Sequence, residues 1–292
     1  MKALVKWTDE LLNLFFLGIV LLMLAFSGYA IWDFRQVHRD ADSANYAAYK
    51  PSETGGEATF GELTALNGEV IAWLTVFGTN IDYPVAQAGD NMKYVNTGAD
   101  GRYSLSGSVF LDYRNSADFS DFNSILYGHN MDRKTMFGEI GNFAREDFFA
   151  ENGRGELYFG GEKHGIEFFA MLRADAYDGG LFLPNVAEEE REGFLEGLGA
   201  LALRFKDAGV SAEDRLIMLV TCSPSTTNGR DVLVGRLVPF EEENAESAVE
   251  APEQREMLAR PLHLFPALLK AILAAMLLAR IAQESGATRR LP

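Results

Sequence analysis

RLIMLVTCSPSTTNGRDVLVGRLV, at Arg215 to Val238, has the pattern of two strands joined by a turn. The apolar run that ends at Cys222 and the run that begins after Arg230 are each long enough for a strand, and the residues SPSTTNG between them are turn formers. Antiparallel pairing of such a hairpin brings the end of its first strand beside the start of its second. The sequence therefore predicts that Cys222 and Arg230 lie side by side at one tip of a sheet.

This pair has two interpretations. Cys222 is the single cysteine of the 292-residue chain, so no internal disulfide can form. Single cysteines are most often small buried hydrophobes, and an arginine at a strand end is often paired with a carboxylate. The pair also suits acyl transfer, because a thiolate is a nucleophile and a guanidinium stabilises a developing oxyanion. The hairpin alone leaves both interpretations open.

Short strand-like segments continue between about Phe60 and Phe240, separated by Gly, Asn and Asp. Their number favours a mainly β fold, an eight-stranded closed barrel. Two stretches are predicted to be helical: Lys134 to Phe149, and Ala187 to Lys206, which is an insertion before the Cys-bearing strand. The eight strand segments are VIAWLTVFG, TNIDYPVA, GSVFLDYR, SILYG, ELYFG, IEFFAMLRA, RLIMLVT and DVLVGRLV.

A thiol nucleophile needs a proton acceptor, and the chain has four histidines. His38 lies beside the apolar N-terminal stretch, His164 in a turn-like segment and His263 in an apolar tail. His129 directly follows the strand-like run SILYG, which would place it at the mouth of a barrel, where an imidazole can exchange protons with a thiol and an amine. A histidine satisfied by its neighbours is the alternative interpretation.

The N-terminal region predicts a membrane anchor. Leu11 to Trp32 is uncharged and long enough to cross a hydrocarbon core of roughly 30 Å. A cleaved signal peptide is the rival interpretation, although the apolar part of such peptides is only about 7 to 15 residues long. Basic residues flank the stretch on both sides, so the positive-inside rule does not fix its orientation. We predict a cytoplasmic stub and signal anchor at 1–40 and a linker at 41–59.

The region after the predicted catalytic domain, 60–240, divides into two parts. Residues 241–258 are acidic and poor in apolar residues, which is typical of a solvated linker. Residues 259–292 are predicted to form an apolar helical tail with Lys270 in its middle, a residue that costs a spanning helix about 2.5 to 3.5 kcal/mol. A second transmembrane span, an interfacial helix and a helix packed on the domain are all consistent with this tail.

The net charge of -16 argues against nucleic acid as a partner, because a phosphate backbone requires a basic surface.

Several blocks of the chain together resemble the class B sortases. The resemblance covers about Gly61 to Phe240, and the blocks occur in the family's order. They are WLTVFGTNIDYPVAQAGDN (Trp73 to Asn91), GSVFLDYRN (Gly107 to Asn115), ILYGHNM (Ile125 to Met131) and LVTC (Leu219 to Cys222), followed by Arg230 and VLVGRL.

The resemblance implies a sortase-type barrel and a cysteine transpeptidase at a Gram-positive cell surface, with its catalytic domain outside the cell membrane. Such an enzyme cuts a C-terminal sorting motif of secreted proteins and transfers the acyl group to an amine of a peptidoglycan precursor or to a pilin lysine. No metal or organic cofactor is implied. The family's nucleophile falls on Cys222, its acid/base histidine on His129 and its oxyanion-stabilising arginine on Arg230.

The substrate-binding residues expected beside this triad are Thr221, Ser223, Asn130 and Tyr127. Many class B members carry Ser where this chain has Val220, which weakens the substrate assignments relative to the catalytic ones. The apolar C-terminal tail is a second departure from a single-anchor sortase. A thiol protease that hydrolyses its acyl enzyme and a membrane-tethered binding module with an inert cysteine are the alternative functions.

Overall fold

The computed structural model of this chain describes residues 2–51 and 56–240. The acidic linker expected at 241–258 and the apolar tail expected at 259–292 lie outside the described residues. The α-helices in these ranges are α1 (Lys2–Asp40), α2 (Gly56–Leu66), α3 (Glu146–Glu151) and α4 (Arg191–Leu201). The strands are β1 (Val70–Val76), β2 (Asp82–Ala86), β3 (Val109–Leu111), β4 (Asn123–Tyr127), β5 (Arg154–Phe159), β6 (Glu162–Asp175), β7 (Ala202–Phe205), β8 (Leu216–Cys222) and β9 (Gly229–Pro239).

Eight strands form a ring in the order β5, β1, β2, β3, β4, β8, β9, β6, and the ring closes where β6 pairs with β5. The β2–β3 and β4–β8 pairs are parallel, and the other neighbours in the ring are antiparallel. Each of the eight predicted strand segments supplies one strand of this ring. The predicted mainly β, eight-stranded closed barrel is therefore confirmed.

The continuous apolar run of β8 is explained by burial on both of its faces. Ile217 and Leu219 join the main core cluster, whereas Met218 and Val220 join a second cluster that includes Leu198 of α4. Side chains alternate across a strand, so the odd and even residues of β8 meet different neighbours. The helical insertion before the Cys-bearing strand thus covers the outer face of that strand.

The single helix predicted at Lys134 to Phe149 is wrong. The chain instead forms two 3₁₀ turns, Asp132–Lys134 and Ile140–Ala144, followed by the short α3. Lys134 and Met136 have φ values of 61° and 50°, in the left-handed region that a right-handed helix cannot include. The backbone also packs closely at Gly138, where a Cβ would lie 2.0 Å from the Met131 carbonyl oxygen.

The helix predicted at Ala187 to Lys206 is correct only in its middle. It begins with a 3₁₀ turn at Glu188–Glu190, continues as α4 and stops at Leu201. The next residues form β7, which pairs with Ala170 to Leu172 of β6 and lies outside the ring. This half of β6 extends beyond β5, so its backbone groups on that edge need a partner, and a four-residue strand supplies one.

The N-terminal helix α1 contains the segment Val5–Asp40, which is long and apolar enough to span a membrane by length and composition, and its most apolar window is not buried by the described chain. Residues 41–51 follow it and form two 3₁₀ turns, Ser43–Asn45 and Ala47–Tyr49. Ala41 is fully buried in the main core cluster. The chain therefore contacts the barrel as soon as α1 ends.

Candidate active site

Cys222 and Arg230 are Cα partners across the β8–β9 pair, as the hairpin pattern predicts. The Ser223 amide donates to the Gly229 carbonyl at 2.8 Å, which closes the turn. The turn is tight at Gly229, where a Cβ would lie 2.0 Å from the Thr226 hydroxyl oxygen and would require that side chain to move. The rest of β8 is buried, but Cys222 is exposed. The interpretation of this cysteine as a buried hydrophobe is therefore wrong.

His129 is brought beside this pair by the parallel β4–β8 contact. Tyr127 is the Cα partner of Val220, and the Gly128 amide donates to the Val220 carbonyl at 3.2 Å. Because parallel strands run in step, the residue two after Tyr127 lies near the residue two after Val220. Those residues are His129 and Cys222, and both line one cavity with Arg230. We call Cys222, His129 and Arg230 the reactive end of this cavity.

The imidazole of His129 is oriented by one hydrogen bond. Its Nε2 lies 2.9 Å from the Val95 carbonyl oxygen. A carbonyl oxygen can only accept, so Nε2 carries the proton of that bond. Nδ1 is then the ring nitrogen available to take a proton from a thiol or to return one to an amine.

Arg230 is partly buried and donates from Nη1 to the Gly229 carbonyl at 3.0 Å. It forms no ion pair with any residue that the structure describes, whereas the adjacent Asp231 is buried and accepts from Arg173 Nε at 2.9 Å. The Asp231 carboxylate is therefore paired with Arg173 rather than with Arg230. The guanidinium of Arg230 keeps donors for a ligand at the cavity.

The four expected substrate-binding residues lie around the reactive end in different settings. Tyr127 and Thr221 line the cavity, while Asn130 and Ser223 flank it in the chain. Thr221 is buried and donates its hydroxyl to the Gly128 carbonyl at 2.8 Å, and Asn130 Nδ2 donates to the Cys222 carbonyl at 2.7 Å. Ser223 is buried with its hydroxyl 2.8 Å from that of Ser225. The bonds of Thr221 and Asn130 connect the His129 and Cys222 segments.

The cavity has a volume of about 580 Å³, and its lining also includes a hydrogen-bonded group that we call the polar wall: Asn91, Asp112, Arg114 and Tyr127. The Asp112 carboxylate is fully buried and accepts from Arg114 Nε and Nη2, both at 2.8 Å. Asn91 Nδ2 and the Tyr127 hydroxyl also donate to it, at 3.0 and 3.1 Å. This is a satisfied buried charge.

The pKa values of the polar wall follow from burial and pairing. Burial alone would raise the pKa of Asp112, but the bonds from Arg114 and Asn91 outweigh it and the pKa is lowered. Burial, followed by the charge of Asp112, raises the pKa of Tyr127. Asp112 is therefore ionised, and Tyr127 is a hydroxyl donor, across the neutral range.

No role of Asn91, Asp112, Arg114 or Val95 was predicted from the sequence. A usable signal was present in GSVFLDYRN, where a carboxylate at the end of an apolar strand is followed two residues later by an arginine. A buried carboxylate requires a partner, so this spacing could have indicated the Asp112–Arg114 pair. Nothing in the sequence indicated that the Val95 carbonyl orients His129.

Within the described ranges, no group of three or more His, Cys, Asp or Glu residues could hold a metal ion.

The chain is similar to known class B sortases in sequence and in structure. It is 32% identical to sortase B of Listeria monocytogenes over 181 residues, a match that covers 61% of this chain and 73% of that protein. It is 26% identical to sortase B of Staphylococcus aureus, over 61% of this chain and 74% of that protein. The structure of Clostridium perfringens sortase B matches with a TM-score of 0.59 and 33% identity, over 61% of this chain and 99% of that one. A class B sortase of Streptococcus pyogenes involved in pilus biogenesis matches with a TM-score of 0.57 and 39% identity, over 61% and 97%. No family model matches the sequence.

Proposed function

This chain belongs to the sortase family, in its class B-like group of cysteine transpeptidases, and we propose that it cuts a C-terminal sorting motif of secreted proteins at Cys222 and transfers the acyl group to an amine. The observation that carries this proposal is the reactive end itself. An exposed thiol lies in register with Arg230 and beside His129, at one end of a cavity of about 580 Å³. A cavity of this size accommodates a short peptide segment.

In the proposed first half-reaction, His129 takes the proton of the Cys222 thiol at Nδ1. The sulfur then attacks the carbonyl carbon of the residue before the scissile bond, which the family resemblance makes a threonine. A C–S bond forms, and the carbonyl oxygen gains a negative charge that the Arg230 guanidinium stabilises. The C–N bond then breaks, and His129 gives a proton to the departing amine. A thioacyl enzyme is left on Cys222.

In the second half-reaction, an acceptor amine attacks the thioacyl carbon and loses a proton to His129. The C–S bond breaks, Cys222 returns as the free sulfur nucleophile, and the product carries a new amide bond. The acceptor is an amine of a peptidoglycan precursor or a pilin lysine. Tyr127, Thr221, Ser223 and Asn130 shape the site for the motif in this proposal.

The proposed location of the enzyme is supported by α1. We propose that residues 1–40 are a cytoplasmic stub and signal anchor, and that the catalytic domain at 60–240 lies on the extracellular face of the cell membrane. The length and apolar composition of Val5–Asp40 support an anchor, as does the exposure of its most apolar window among the residues that the structure describes. Secreted substrates and cell-wall acceptors would then share one compartment with Cys222.

The test uses the full-length chain in lipid nanodiscs, a library of fluorogenic sorting peptides and mass spectrometry of the products. Each peptide is run without acceptor, with a cell-wall-type peptide amine, and with a lysine-containing pilin peptide. Cys222→Ala is the control. We expect an amine-linked product that vanishes in the control, and the preferred peptide and amine then identify the motif and the acceptor.

Two results would contradict the proposal. Cleavage that consumes only water with every amine would identify a thiol protease. A thioacyl adduct that never forms with any peptide would instead favour a membrane-tethered binding module.

A further inference from the structure

The Tyr83 hydroxyl joins two segments that are far apart in the chain. It donates to the Ala41 carbonyl at 2.9 Å and accepts from the Met136 amide at 2.9 Å. Tyr83 lies on β2 and is almost fully buried. Burial raises its pKa, so the hydroxyl keeps its proton for the bond to Ala41. One oxygen thus connects the end of α1 with the chain that follows His129.

The second segment is the loop at 129–137, which we call the His129 turn. Asn130 and Met136 face each other in an antiparallel bridge, and the Phe137 amide donates to the His129 carbonyl at 2.9 Å. Arg133, Lys134 and Met136 have positive φ values, a conformation that non-glycine residues adopt only when the surroundings enforce it. The His129 turn is therefore a strained segment that requires external contacts.

Two contacts to the end of α1 provide such support. Ala41 is buried at the point where it accepts from Tyr83. Farther back in the helix, the Phe34 ring lies against the guanidinium of Arg133, with 5.2 Å between its centroid and Cζ. The C-terminal end of α1 thus contacts the His129 turn both through Tyr83 and directly.

The His129 turn in turn contacts the reactive end. Asn130 Nδ2 donates to the Cys222 carbonyl at 2.7 Å. The Phe137 ring lies so close to Gly128, the residue before His129, that a Cβ at Gly128 would be 2.8 Å from it. A shift of the turn would therefore move the backbone on both sides of the imidazole.

We propose that Tyr83 is a positioning residue for His129, and that through it the end of the anchor helix determines how the imidazole is held beside Cys222. Tyr83 does not line the cavity, so this role involves no contact with substrate. The inference rests on the catalytic roles given above to His129 and Cys222. It makes the membrane anchor a part of the catalytic arrangement as well as a tether.

The test compares Tyr83→Phe with Tyr46→Phe in the full chain in nanodiscs. Both substitutions remove one partly or fully buried hydroxyl, but the Tyr46 hydroxyl accepts from the Ala99 amide and contacts the Asp100 backbone, both outside the His129 turn. We expect Tyr83→Phe to lower kcat about tenfold with KM changed less than about twofold, since small misplacements of a catalytic group act on kcat. Tyr46→Phe is expected to leave both constants unchanged.

Alkylation of Cys222 by iodoacetamide is the second measurement, because it reports on the thiol whether or not a sorting peptide is recognised. Slower alkylation in Tyr83→Phe than in Tyr46→Phe supports the proposal even if the peptide assay fails. An unchanged kcat and alkylation rate in a folded Tyr83→Phe protein would overturn it. If Tyr83→Phe does not fold, Phe34→Ala takes its place: a lower kcat at unchanged KM supports the proposal, and an unchanged kcat refutes it.

Discussion

The reactive end and the polar wall both line the cavity, but they differ in whether their polar groups have partners within the fold. In the polar wall, the Asp112 carboxylate is buried and receives bonds from Arg114, Asn91 and Tyr127. At the reactive end, Cys222 is exposed and Arg230 has no ion-pair partner among the residues that the structure describes. Satisfied groups stabilise a fold, whereas groups with free donors or a free lone pair can act on a ligand. We therefore expect substitutions at the reactive end to change rates and substitutions in the polar wall to change stability.

The largest expected effect is that of Cys222→Ala. It removes the nucleophile, so transpeptidation should fall by at least about 10³-fold. The side chain is exposed, so the melting temperature should hardly change. Product formation by mass spectrometry and thermal unfolding check the two parts. Turnover that persists in the variant would show that the sulfur is not the reacting atom.

Arg230→Met should have the next largest effect. Removing a charged donor from a developing oxyanion costs about 10²- to 10³-fold in kcat. Arg230→Lys should recover part of this loss, because lysine keeps the positive charge but lacks the paired donors of the planar guanidinium. Arg236→Met is the matched control on the same strand, since Arg236 pairs with Glu167 instead. Steady-state kinetics measure both variants. Equal losses of kcat in Arg230→Met and Arg236→Met would contradict a specific role of Arg230 in stabilising the oxyanion.

Asp112→Asn should affect stability rather than the chemical step. Loss of the buried carboxylate leaves Arg114 without its partner and should lower the free energy of unfolding by about 2 to 3 kcal/mol. The pKa of Asp112 is lowered in the folded state, so its contribution is complete above the usual value of 3.8 and is lost as the pH falls through the lowered value. Urea unfolding at pH 7 and pH 3 measures this. The difference in the free energy of unfolding between wild type and variant should be smaller at pH 3 than at pH 7. An equal difference at the two pH values would contradict a stabilising role of the ionised Asp112.

Thr221→Val should give the smallest effect. The hydroxyl donates to Gly128 within the fold, and its loss should cost about 1 kcal/mol of stability. Thr221→Ser keeps the hydroxyl and serves as the control. Chemical denaturation measures the structural role of Thr221, and peptide kinetics measure a role in substrate binding. A raised KM at unchanged stability would instead favour the direct substrate contact that the sequence predicts for Thr221.

Local pattern explains what could be predicted from the sequence. The β8–β9 hairpin pairs residues that are close in the chain, so the Cys222–Arg230 contact follows from the turn formers alone. Strand β7 was missed because Leu201, Leu203 and their neighbours continue the apolar pattern of α4, and only the free edge of β6 makes them a strand. The His129 turn was missed because its positive φ values are enforced by contacts with Tyr83 and Phe34.

The polar wall could not be derived in the same way. Its members come from three separate segments, around Asn91, Asp112 to Arg114, and Tyr127, and they meet because β3 lies between β2 and β4 in the barrel. Sequence pattern predicts which residues are buried, but it does not specify which carboxylate receives which donor. The position of His129 relative to Val95 depends on the same long-range assembly.

The parallel pairing of β4 with β8 also determines when, during synthesis of the chain, His129 and Cys222 can come together. The ribosome makes β4 first, and β5, β6, α4 and β7 are all synthesised before β8 can join it. Such a long-range pair forms late in folding. Arg230 arrives later still, on the last strand of the ring. A nascent or prematurely ended chain is therefore expected to carry His129 without Cys222, or Cys222 without Arg230, so that the three proposed catalytic residues come together only when synthesis of the barrel is complete.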